Sequence, residues 1–277
     1  MNLAHLIVIT DLDGTLLDAE SYTYDASLPA VRNLQARNTP LVLCSSKTRS
    51  EIAHLWRELA LRDPFICENG GAICFPADYF PFRVEDAKVQ ENLSIIALGS
   101  KIADLRAALT ESRAGLDAKV RSFGEMDAEE VSRLTGLSIE QASLALQREY
   151  DEPFVVEGKD TERLFTALRA RGLSVTFGGR LFHVTGGHDK GRAVRRLQAL
   201  YRRIDPACVS VGLGNSANDL PLLREVDRPI LIRNVDGAYD PQVLRAMPEV
   251  EKTHEPGPAG WNTAIAKILA EKDMPVC

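Results

Sequence analysis

Short apolar runs alternate with amphipathic stretches along the first part of the chain. The apolar runs are Leu6–Thr10, Leu41–Cys44 and Phe65–Cys67. Their length and continuity are typical of strands that are buried on both faces of a sheet. The stretches between them, Leu28–Arg37 and Glu51–Ala60, carry apolar residues at helical spacing. This alternation predicts a parallel, doubly wound α/β sheet, and Ala72–Phe75 is expected to return antiparallel to the third strand.

The pattern changes after residue 83 and later returns. Strands are predicted at Leu93–Leu98, Val120–Phe123, Phe154–Glu157, Leu173–Phe177 and Leu181–Thr185, and helices at Ala128–Leu134 and Ile139–Arg148. The first pattern resumes with a helix at Lys190–Tyr201, strands at Cys208–Leu213 and Ile230–Ile232, and a closing helix at Gly260–Glu271. The sequence therefore predicts a Rossmann-like doubly wound core, residues 1–83 and 187–277, with residues 84–186 inserted as a second α/β unit.

Composition narrows the class of protein. The chain has a formal net charge of −6 and a pI near 5.5, which argues against nucleic acid or an anionic membrane as a partner, because such partners require concentrated Lys and Arg. No stretch approaches the roughly 20 apolar residues of a membrane-spanning helix, and the first residues lack the regions of a signal peptide. We therefore expect a cytoplasmic protein without nucleic-acid or membrane partners, whose oligomeric state the sequence does not predict.

The cysteines and two histidines carry no metal-binding pattern. The cysteines are Cys44, Cys67, Cys74, Cys208 and Cys277. Their number is odd and their spacing lacks the pairs of a zinc site, so we expect reduced, mostly buried thiols. His183 and His188 are expected to be structural or surface residues, because neither has a second His or Cys at ligand spacing.

Two carboxylates follow the first predicted strand. Asp11 and Asp13 flank Leu12 and precede Gly14, so both are expected at the carboxyl end of a buried strand, where open α/β sheets bind ligands. Like charges held this close repel each other, and a cation or a shared proton between them relieves the repulsion. Asp-Gly is also ordinary turn chemistry, but polar residues at the ends of neighbouring elements favour a functional role.

Together these residues predict a site for phosphoryl transfer. The reaction needs a nucleophile, a proton donor for the leaving oxygen, hydrogen-bond donors to the other phosphoryl oxygens and a cation. Asp11 is predicted to attack phosphorus, and Asp13 to protonate the leaving oxygen. Ser45 and Lys190 are predicted to hold the phosphoryl oxygens. Asp11, Asp13, Asn215, Asn218 and Asp219 are predicted to form an oxygen-only shell for Mg²⁺.

The same residues resemble the motifs of a known family. Asp11-Leu12-Asp13-Gly14-Thr15, Ser45, Lys190 and Gly214-x-x-x-Asn218-Asp219 resemble the four motifs of the haloacid dehalogenase-like phosphohydrolases. The long insertion between the second and third motifs is similar to that of members with an α/β cap of type IIB. The resemblance implies Mg²⁺-dependent hydrolysis of a phosphomonoester through an aspartyl-phosphate, on a small phosphorylated sugar that the cap selects.

Further strings, spread over nearly the whole chain, resemble one branch of that family, the mannosyl-3-phosphoglycerate phosphatases. They are Cys44–Arg49, Glu68–Ile73, Gln147–Phe154, Gly178–Arg180, His188–Gly191 and Gly257–Asn262. The resemblance implies that a glycosyl phosphoglycerate is hydrolysed to mannosylglycerate or a close analogue, a compatible solute. Glucosyl-3-phosphoglycerate, sucrose phosphate and other sugar phosphates remain open as substrates, and a sugar-phosphate mutase would also use Asp11.

Polar residues near the motifs are candidates for binding an anionic sugar phosphate. They are Ser46, Lys47, Arg49, Glu68, Asn69, Gly70, Arg148 and Arg180. Lys47 and Arg49 suit a phosphate or carboxylate group, whereas Glu68 and Asn69 suit sugar hydroxyls. Arg148, on the insertion, is a candidate through the resemblance, as is Arg180.

One position departs from the family pattern. Members usually carry Asp directly after the first Gly of the fourth motif, where this chain has Asn215. An amide oxygen can bind Mg²⁺ but brings no charge, so we expect weaker metal binding than a carboxylate would give. The departure also leaves open a metal-poor relative that binds a sugar phosphate without hydrolysing it.

Overall fold

Strand β1 (Leu6–Thr10) lies inside a nine-stranded sheet and is buried along its whole length. The computed structural model describes residues 5–178 and 181–273. The other strands are β2 (Leu41–Cys44), β3 (Phe65–Cys67), β4 (Ala72–Pro76), β5 (Lys88–Gln90), β6 (Leu93–Ala97), β7 (Lys119–Ser122), β8 (Asp151–Glu157), β9 (Ser174–Gly178), β10 (Leu181–Thr185), β11 (Val209–Gly214), β12 (Arg228–Arg233) and β13 (Glu251–Pro256). The helices are α1 (Leu28–Ala36), α2 (Arg49–Glu58), α3 (Ile102–Ser112), α4 (Ala128–Thr135), α5 (Ile139–Ala145), α6 (Thr161–Ala170), α7 (Lys190–Arg202), α8 (Leu220–Glu225), α9 (Pro241–Ala246) and α10 (Ala259–Asp273). None of these helices is long and apolar enough to cross a membrane.

The order of strands in the large sheet is β13-β12-β11-β1-β2-β3-β4-β6-β5. The strands from β13 to β3 run parallel, whereas β4, β6 and β5 pair antiparallel at the other edge. Parallel neighbours end at the same edge of a sheet. The loops after β11, β1, β2 and β3 therefore lie side by side, in the position where open α/β sheets bind ligands.

Helices cover both faces of the large sheet. On β1, Leu6 and Val8 pack with residues of α1, α2 and α10, whereas Ile7 and Ile9 pack with residues of α7, α8 and α9. Trp261 of α10 is fully buried, and its indole N–H donates to the hydroxyl of Thr10 at 2.9 Å. Burial on two faces explains why the core strands are continuous apolar runs.

The insertion contains a four-stranded antiparallel sheet of order β7-β8-β10-β9. Successive residues of β8 point to opposite faces: Phe154 packs with α3 and α6, and Val155 with α4 and α5. The predicted α/β fold class is confirmed, with a mostly parallel central sheet and a separate antiparallel sheet.

One predicted strand belongs to a different sheet than expected. The assignment of Leu93–Leu98 to the inserted unit is wrong, because β6 pairs with β4 in the large sheet, from Ala97 opposite Ala72 to Leu93 opposite Pro76. The sheet of the insertion begins only at β7. An apolar run predicts a strand but does not tell which sheet the strand joins.

Candidate active site

The loops at the carboxyl ends of neighbouring parallel strands bring polar side chains together. Asp11 follows β1, Ser45 follows β2, Asn69 lies after β3, and Asn215 follows β11. Lys190, the first residue of α7, reaches the same edge as the chain leaves the insertion. The structure therefore places these predicted site residues around one end of the sheet.

Lys190 joins two buried carboxylates. Its Nζ donates to Asp11 Oδ1 and to Asp219 Oδ1, at 2.7 Å in each case. Burial and the charge of Asp219 raise the pKa of Asp11 to about 7, although Lys190 opposes the shift. Burial alone would lower the pKa of Lys190, but the two carboxylates raise it above its ordinary value. The ammonium group therefore stays charged and offsets the repulsion between Asp11 and Asp219.

Asp13 has one oxygen held and one without a partner. Its Oδ2 pairs with the ammonium of Lys47 at 3.0 Å, and that ammonium lies 5.0 Å from the ring centroid of Tyr22. Within the described residues, Asp13 Oδ1 is buried and accepts no hydrogen bond. Such an oxygen is costly to bury unless a proton or a cation satisfies it.

Asp219 organises the loop after β11. Its Oδ2 accepts the backbone N–H groups of Asn215 and Ser216, at 3.0 and 3.1 Å, and the Ser216 hydroxyl at 3.1 Å, while its Oδ1 accepts Lys190. Both oxygens are thus engaged by protein groups and fully buried, which does not fit the predicted role of Asp219 as a Mg²⁺ ligand. Asn218 likewise uses its amide, donating to Asn69 Oδ1 at 3.0 Å.

Oxygen atoms of Asp11, Asp13 and Asn215 fit a hard cation. Asp13 Oδ1 has no partner in this part of the structure, and carboxylate and amide oxygens are ligands that Mg²⁺ prefers. Asn215 accepts the hydroxyl of Thr15 at 3.3 Å and donates to Asn234 Oδ1 at 2.8 Å. Over residues 5–178 and 181–273, no group of three or more His, Cys, Asp or Glu side chains is arranged to hold a metal ion. A Mg²⁺ shell here would therefore need the Asn215 amide, main-chain oxygens or water.

A cleft of about 520 Å³ lies over these residues, between the large sheet and the insertion. Its lining includes Asp11, Asp13, Ser46, Lys47, Asn69, Asn215 and Asn218 from the core, and Phe123, Arg148, Thr176, Leu181 and His183 from the insertion. A molecule bound at Asp11 is therefore within reach of the inserted unit as well.

Glu68 does not face the cleft. It is fully buried, and its carboxylate accepts the backbone N–H groups of Glu149, Tyr150 and Asp151 at 2.9, 2.8 and 2.8 Å. Burial raises the pKa of Glu68 to about 7, against the opposing effects of Arg148 and of these amides. The prediction that Glu68 binds sugar hydroxyls is wrong, because its carboxylate oxygens are occupied by backbone N–H groups of the insertion. Glu68 thereby connects the core to the insertion.

Arg49 and Gly70 also differ from their predicted roles as substrate contacts. Arg49 donates from Nε and Nη2 to Glu149 Oε1, at 2.9 and 2.7 Å, and it lines a separate groove along α2. Gly70 has a φ of +92°, and a Cβ atom there would lie 2.1 Å from the carbonyl oxygen of Asp189. Its lack of a side chain thus permits close packing against the start of α7.

Other predicted contacts lie in or beside the cleft. Ser45 is almost fully buried, and its Oγ accepts the backbone N–H of Lys47 at 3.3 Å, which leaves its own proton available. Arg148 lines the cleft while its Nη1 donates to the carbonyl oxygen of Ser46 at 2.8 Å. Arg180 lies outside the described residues.

One polar pair beside the cleft was not predicted. His183 lines the cleft, and its Nδ1 lies 2.9 and 3.1 Å from the two carboxylate oxygens of Asp151. Asp151 Oδ2 also accepts the side-chain amide of Asn69 at 2.7 Å. The sequence signals are weak: His183 is a polar residue inside the apolar strand β10, and Asp151 begins β8. The antiparallel pairing of these two strands cannot be read from either segment alone.

Comparison with known proteins gives consistent matches. The family model of the haloacid dehalogenase-like hydrolases matches residues 8–239. A glucosyl-3-phosphoglycerate/mannosyl-3-phosphoglycerate phosphatase of Methanococcoides burtonii is 42% identical over 269 residues, covering 96% of this chain and 98% of that protein. A mannosyl-3-phosphoglycerate phosphatase of Pyrococcus furiosus is 36% identical over 229 residues, covering 82% and 90%.

Solved structures share the fold. A protein of Thermotoga maritima superposes with a TM-score of 0.65 at 16% identity, covering 98% of each chain. A sugar phosphatase of haloacid dehalogenase subclass IIB gives a TM-score of 0.61 at 13% identity, covering 96% of this chain and 98% of the other. At these identities the similarity concerns the fold alone.

Proposed function

The chain belongs to the haloacid dehalogenase-like hydrolases and is a phosphatase, and we propose that it hydrolyses mannosyl-3-phosphoglycerate to mannosylglycerate and inorganic phosphate. The observation that carries this substrate is the 42% identity, over 96% of the chain, to a phosphatase named for glucosyl- and mannosyl-3-phosphoglycerate. Glucosyl-3-phosphoglycerate is the second candidate, because that relative is named for both sugars.

Asp11 is the nucleophile in this reaction. Lys190 holds its Oδ1, and its Oδ2 makes no hydrogen bond within the described residues while Asp11 lines the cleft. A bond forms from this oxygen to phosphorus as the bond between phosphorus and the ester oxygen breaks, which gives an aspartyl-phosphate. Lys190 and the hydroxyl of Ser45 donate hydrogen bonds to the other phosphoryl oxygens.

Asp13 is the general acid and base. It gives its proton to the departing ester oxygen, so that the sugar derivative leaves as an alcohol. In the second step it accepts a proton from the water that attacks the aspartyl-phosphate, and inorganic phosphate leaves from Asp11. Lys47, 3.0 Å from Asp13 Oδ2, holds this carboxyl group in place and adds positive charge beside an anionic substrate.

Mg²⁺ is the cofactor that suits the site. Asp11 and Asn215 would hold it through side-chain oxygen atoms and Asp13 through a main-chain oxygen, because the unpartnered Asp13 Oδ1 carries the proton that the reaction uses. When bound, the ion would offset negative charge on the phosphoryl oxygens.

The unit built on β7 to β10 is the cap that selects the leaving group. Its residues line the cleft opposite Asp11, so the part of the substrate beyond the phosphate contacts them. In this proposal the inserted unit that carries β7 to β10 selects the substrate, the core that carries the large sheet performs the chemistry, and the enzyme acts in the cytoplasm on a small phosphorylated sugar.

Phosphate release from a substrate panel tests the proposal. The panel contains mannosyl- and glucosyl-3-phosphoglycerate, sucrose phosphate and p-nitrophenyl phosphate, each with and without Mg²⁺, with Asp11→Asn as the inactive control. We expect the highest kcat/KM for mannosyl-3-phosphoglycerate with Mg²⁺. Preference for another sugar phosphate would contradict the substrate, and isomerised product with little free phosphate would indicate a mutase.

A further inference from the structure

A buried carboxylate orients a histidine of the cap toward the cleft. Asp151 is fully buried, and His183 is 8% exposed. The Nδ1 atom of His183 lies 2.9 Å from Asp151 Oδ1, whereas within the described residues its Nε2 has no hydrogen-bond partner. Because His183 lines the same cleft as Asp11 and Asp13, the ring is held at one nitrogen and open to a ligand at the other.

The environment of Asp151 keeps it ionised. Its burial would raise its pKa, but the proximity of His183 and Arg148 and the hydrogen bond from Asn69 bring the pKa below its ordinary value. An ionised carboxylate only accepts hydrogen bonds. Nδ1 therefore carries a proton, and in the neutral form of the imidazole Nε2 carries a lone pair.

This arrangement also connects the cap to the core. Asn69 donates to Asp151 Oδ2 at 2.7 Å and accepts, through its own Oδ1, the amide of Asn218 at 3.0 Å. The orientation of the Asn69 amide is thereby fixed from both ends. The chain of hydrogen bonds runs from His183 in the cap to the loop that follows β11 in the core.

We propose that His183 is a specificity-determining residue, whose Nε2 accepts a hydrogen bond from a sugar hydroxyl of the substrate, and that Asp151 is the positioning residue that sets its tautomer. The inference rests on the proposed function, because it concerns the leaving group at the same site. A nitrogen that only accepts hydrogen bonds, such as this Nε2, can bind a hydroxyl group but not an ionised carboxylate, because the carboxylate has no proton to donate. His183 therefore recognises the sugar, and the glycerate carboxylate must be bound by the cationic side chains.

The first test compares two histidine substitutions. In His183→Asn the side-chain amide can keep the hydrogen bond to Asp151, but nothing replaces Nε2 in the cleft. We expect kcat/KM for mannosyl-3-phosphoglycerate to fall about tenfold more than kcat/KM for p-nitrophenyl phosphate, mainly through KM, as for the loss of one hydrogen bond. His54→Asn, which changes an exposed histidine of α2, is the matched control and should leave both values as they are.

The second test changes the tautomer. In Asp151→Asn the new amide must present its oxygen to the Asn69 donor and its NH₂ group to His183, so Nδ1 becomes the acceptor and Nε2 carries the proton. We expect the ¹⁵N NMR signals of neutral His183 to change to the other tautomer, with a smaller loss of selectivity for the sugar substrate than in His183→Asn, because a hydroxyl can also accept a hydrogen bond from Nε2–H. Melting temperatures report whether the variants fold.

The outcomes separate this inference from the proposed function. Equal effects of His183→Asn on both substrates, or an unchanged tautomer in folded Asp151→Asn, would overturn the inference. If the wild-type enzyme prefers a different sugar phosphate, the proposed substrate is wrong. A selective loss on that preferred sugar phosphate in His183→Asn would still support the role of His183.

Discussion

At the scale of residues, the candidate active site depends on one lysine that balances two buried carboxylates. Asp11 and Asp219 each accept a hydrogen bond from Lys190 at 2.7 Å, so the buried cluster holds one positive and up to two negative charges. Asp219 also fixes the loop that carries Asn215. The same ammonium group therefore positions Asp11, the proposed nucleophile, and, through Asp219, the loop that carries Asn215.

Replacing Lys190 by Met should both destabilise the protein and stop phosphate release. Removal of one partner leaves buried charge without compensation, which costs about 3 kcal/mol or more of unfolding free energy. Lys267→Met is the matched control, because Lys267 pairs with Glu251 at 2.8 Å but is 60% exposed, and we expect it to cost less than about 1 kcal/mol. Urea denaturation at pH 7 measures both variants, and equal losses would contradict the argument.

The departure at Asn215 gives a prediction about metal affinity. Asn215→Asp adds a negative charge beside Asp11 and Asp13, so we expect at least about tenfold tighter Mg²⁺ binding by calorimetric titration. The Asn234 amide, whose oxygen now accepts from Asn215 at 2.8 Å, must rotate so that its NH₂ group faces the new carboxylate.

Asn92→Asp adds the same charge on the exposed connection between β5 and β6 and is the control for this titration. It should leave the affinity for Mg²⁺ as in the wild-type protein. Unchanged or weaker binding in Asn215→Asp would exclude Asn215 as a ligand.

At the scale of elements, local pattern predicts the apolar strands but not their partners. The strands from Leu6 to Cys67 could be predicted because burial on both faces makes each a continuous apolar run. The placement of β6 and the contact between Asp151 and His183 could not, since both depend on pairing between segments distant in the chain. Glu68 illustrates the same limit. An acidic residue after a strand suggests a substrate contact, but the carboxylate of Glu68 accepts hydrogen bonds from backbone N–H groups 81 to 83 residues further along the chain.

Replacing Glu68 by Ala should loosen the connection between the insertion and the core. The backbone N–H groups of residues 149–151 would lose their acceptor, and each buried unsatisfied donor costs about 1–3 kcal/mol. We expect a loss of about 3 kcal/mol or more in the free energy of unfolding and faster hydrogen exchange at these amides. Glu58→Ala, at an exposed carboxylate of α2, should change neither measurement appreciably. Unaltered exchange at residues 149–151 would contradict the role assigned to Glu68.

At the scale of the whole molecule, the cleft is lined by residues from two separate sheets and their loops. The large sheet supplies Asp11, Asp13 and Lys190 from its carboxyl edge, and the insertion lines the opposite side of the cleft with residues such as Arg148 and His183. Contacts such as the hydrogen bond from Arg148 to the carbonyl of Ser46 hold the two parts together. The position of Asp11 and Asp13 at the end of β1 could be predicted from one short motif, but the place of His183 in the cleft could not, because its surroundings come from segments that meet only in the folded protein.

Removal of Mg²⁺ should stop catalysis without unfolding the molecule. Lys190 already compensates the buried charges of Asp11 and Asp219, so folding of the core does not depend on the ion. We expect excess EDTA to abolish phosphate release while the near-UV circular dichroism stays native, and added MgCl₂ to restore activity. Bound Mg²⁺ should raise the free energy of unfolding only as mass action requires, by RT ln(1 + [Mg²⁺]/Kd). Loss of the native spectrum in EDTA would show that the ion, rather than Lys190, is what stabilises the carboxylate cluster.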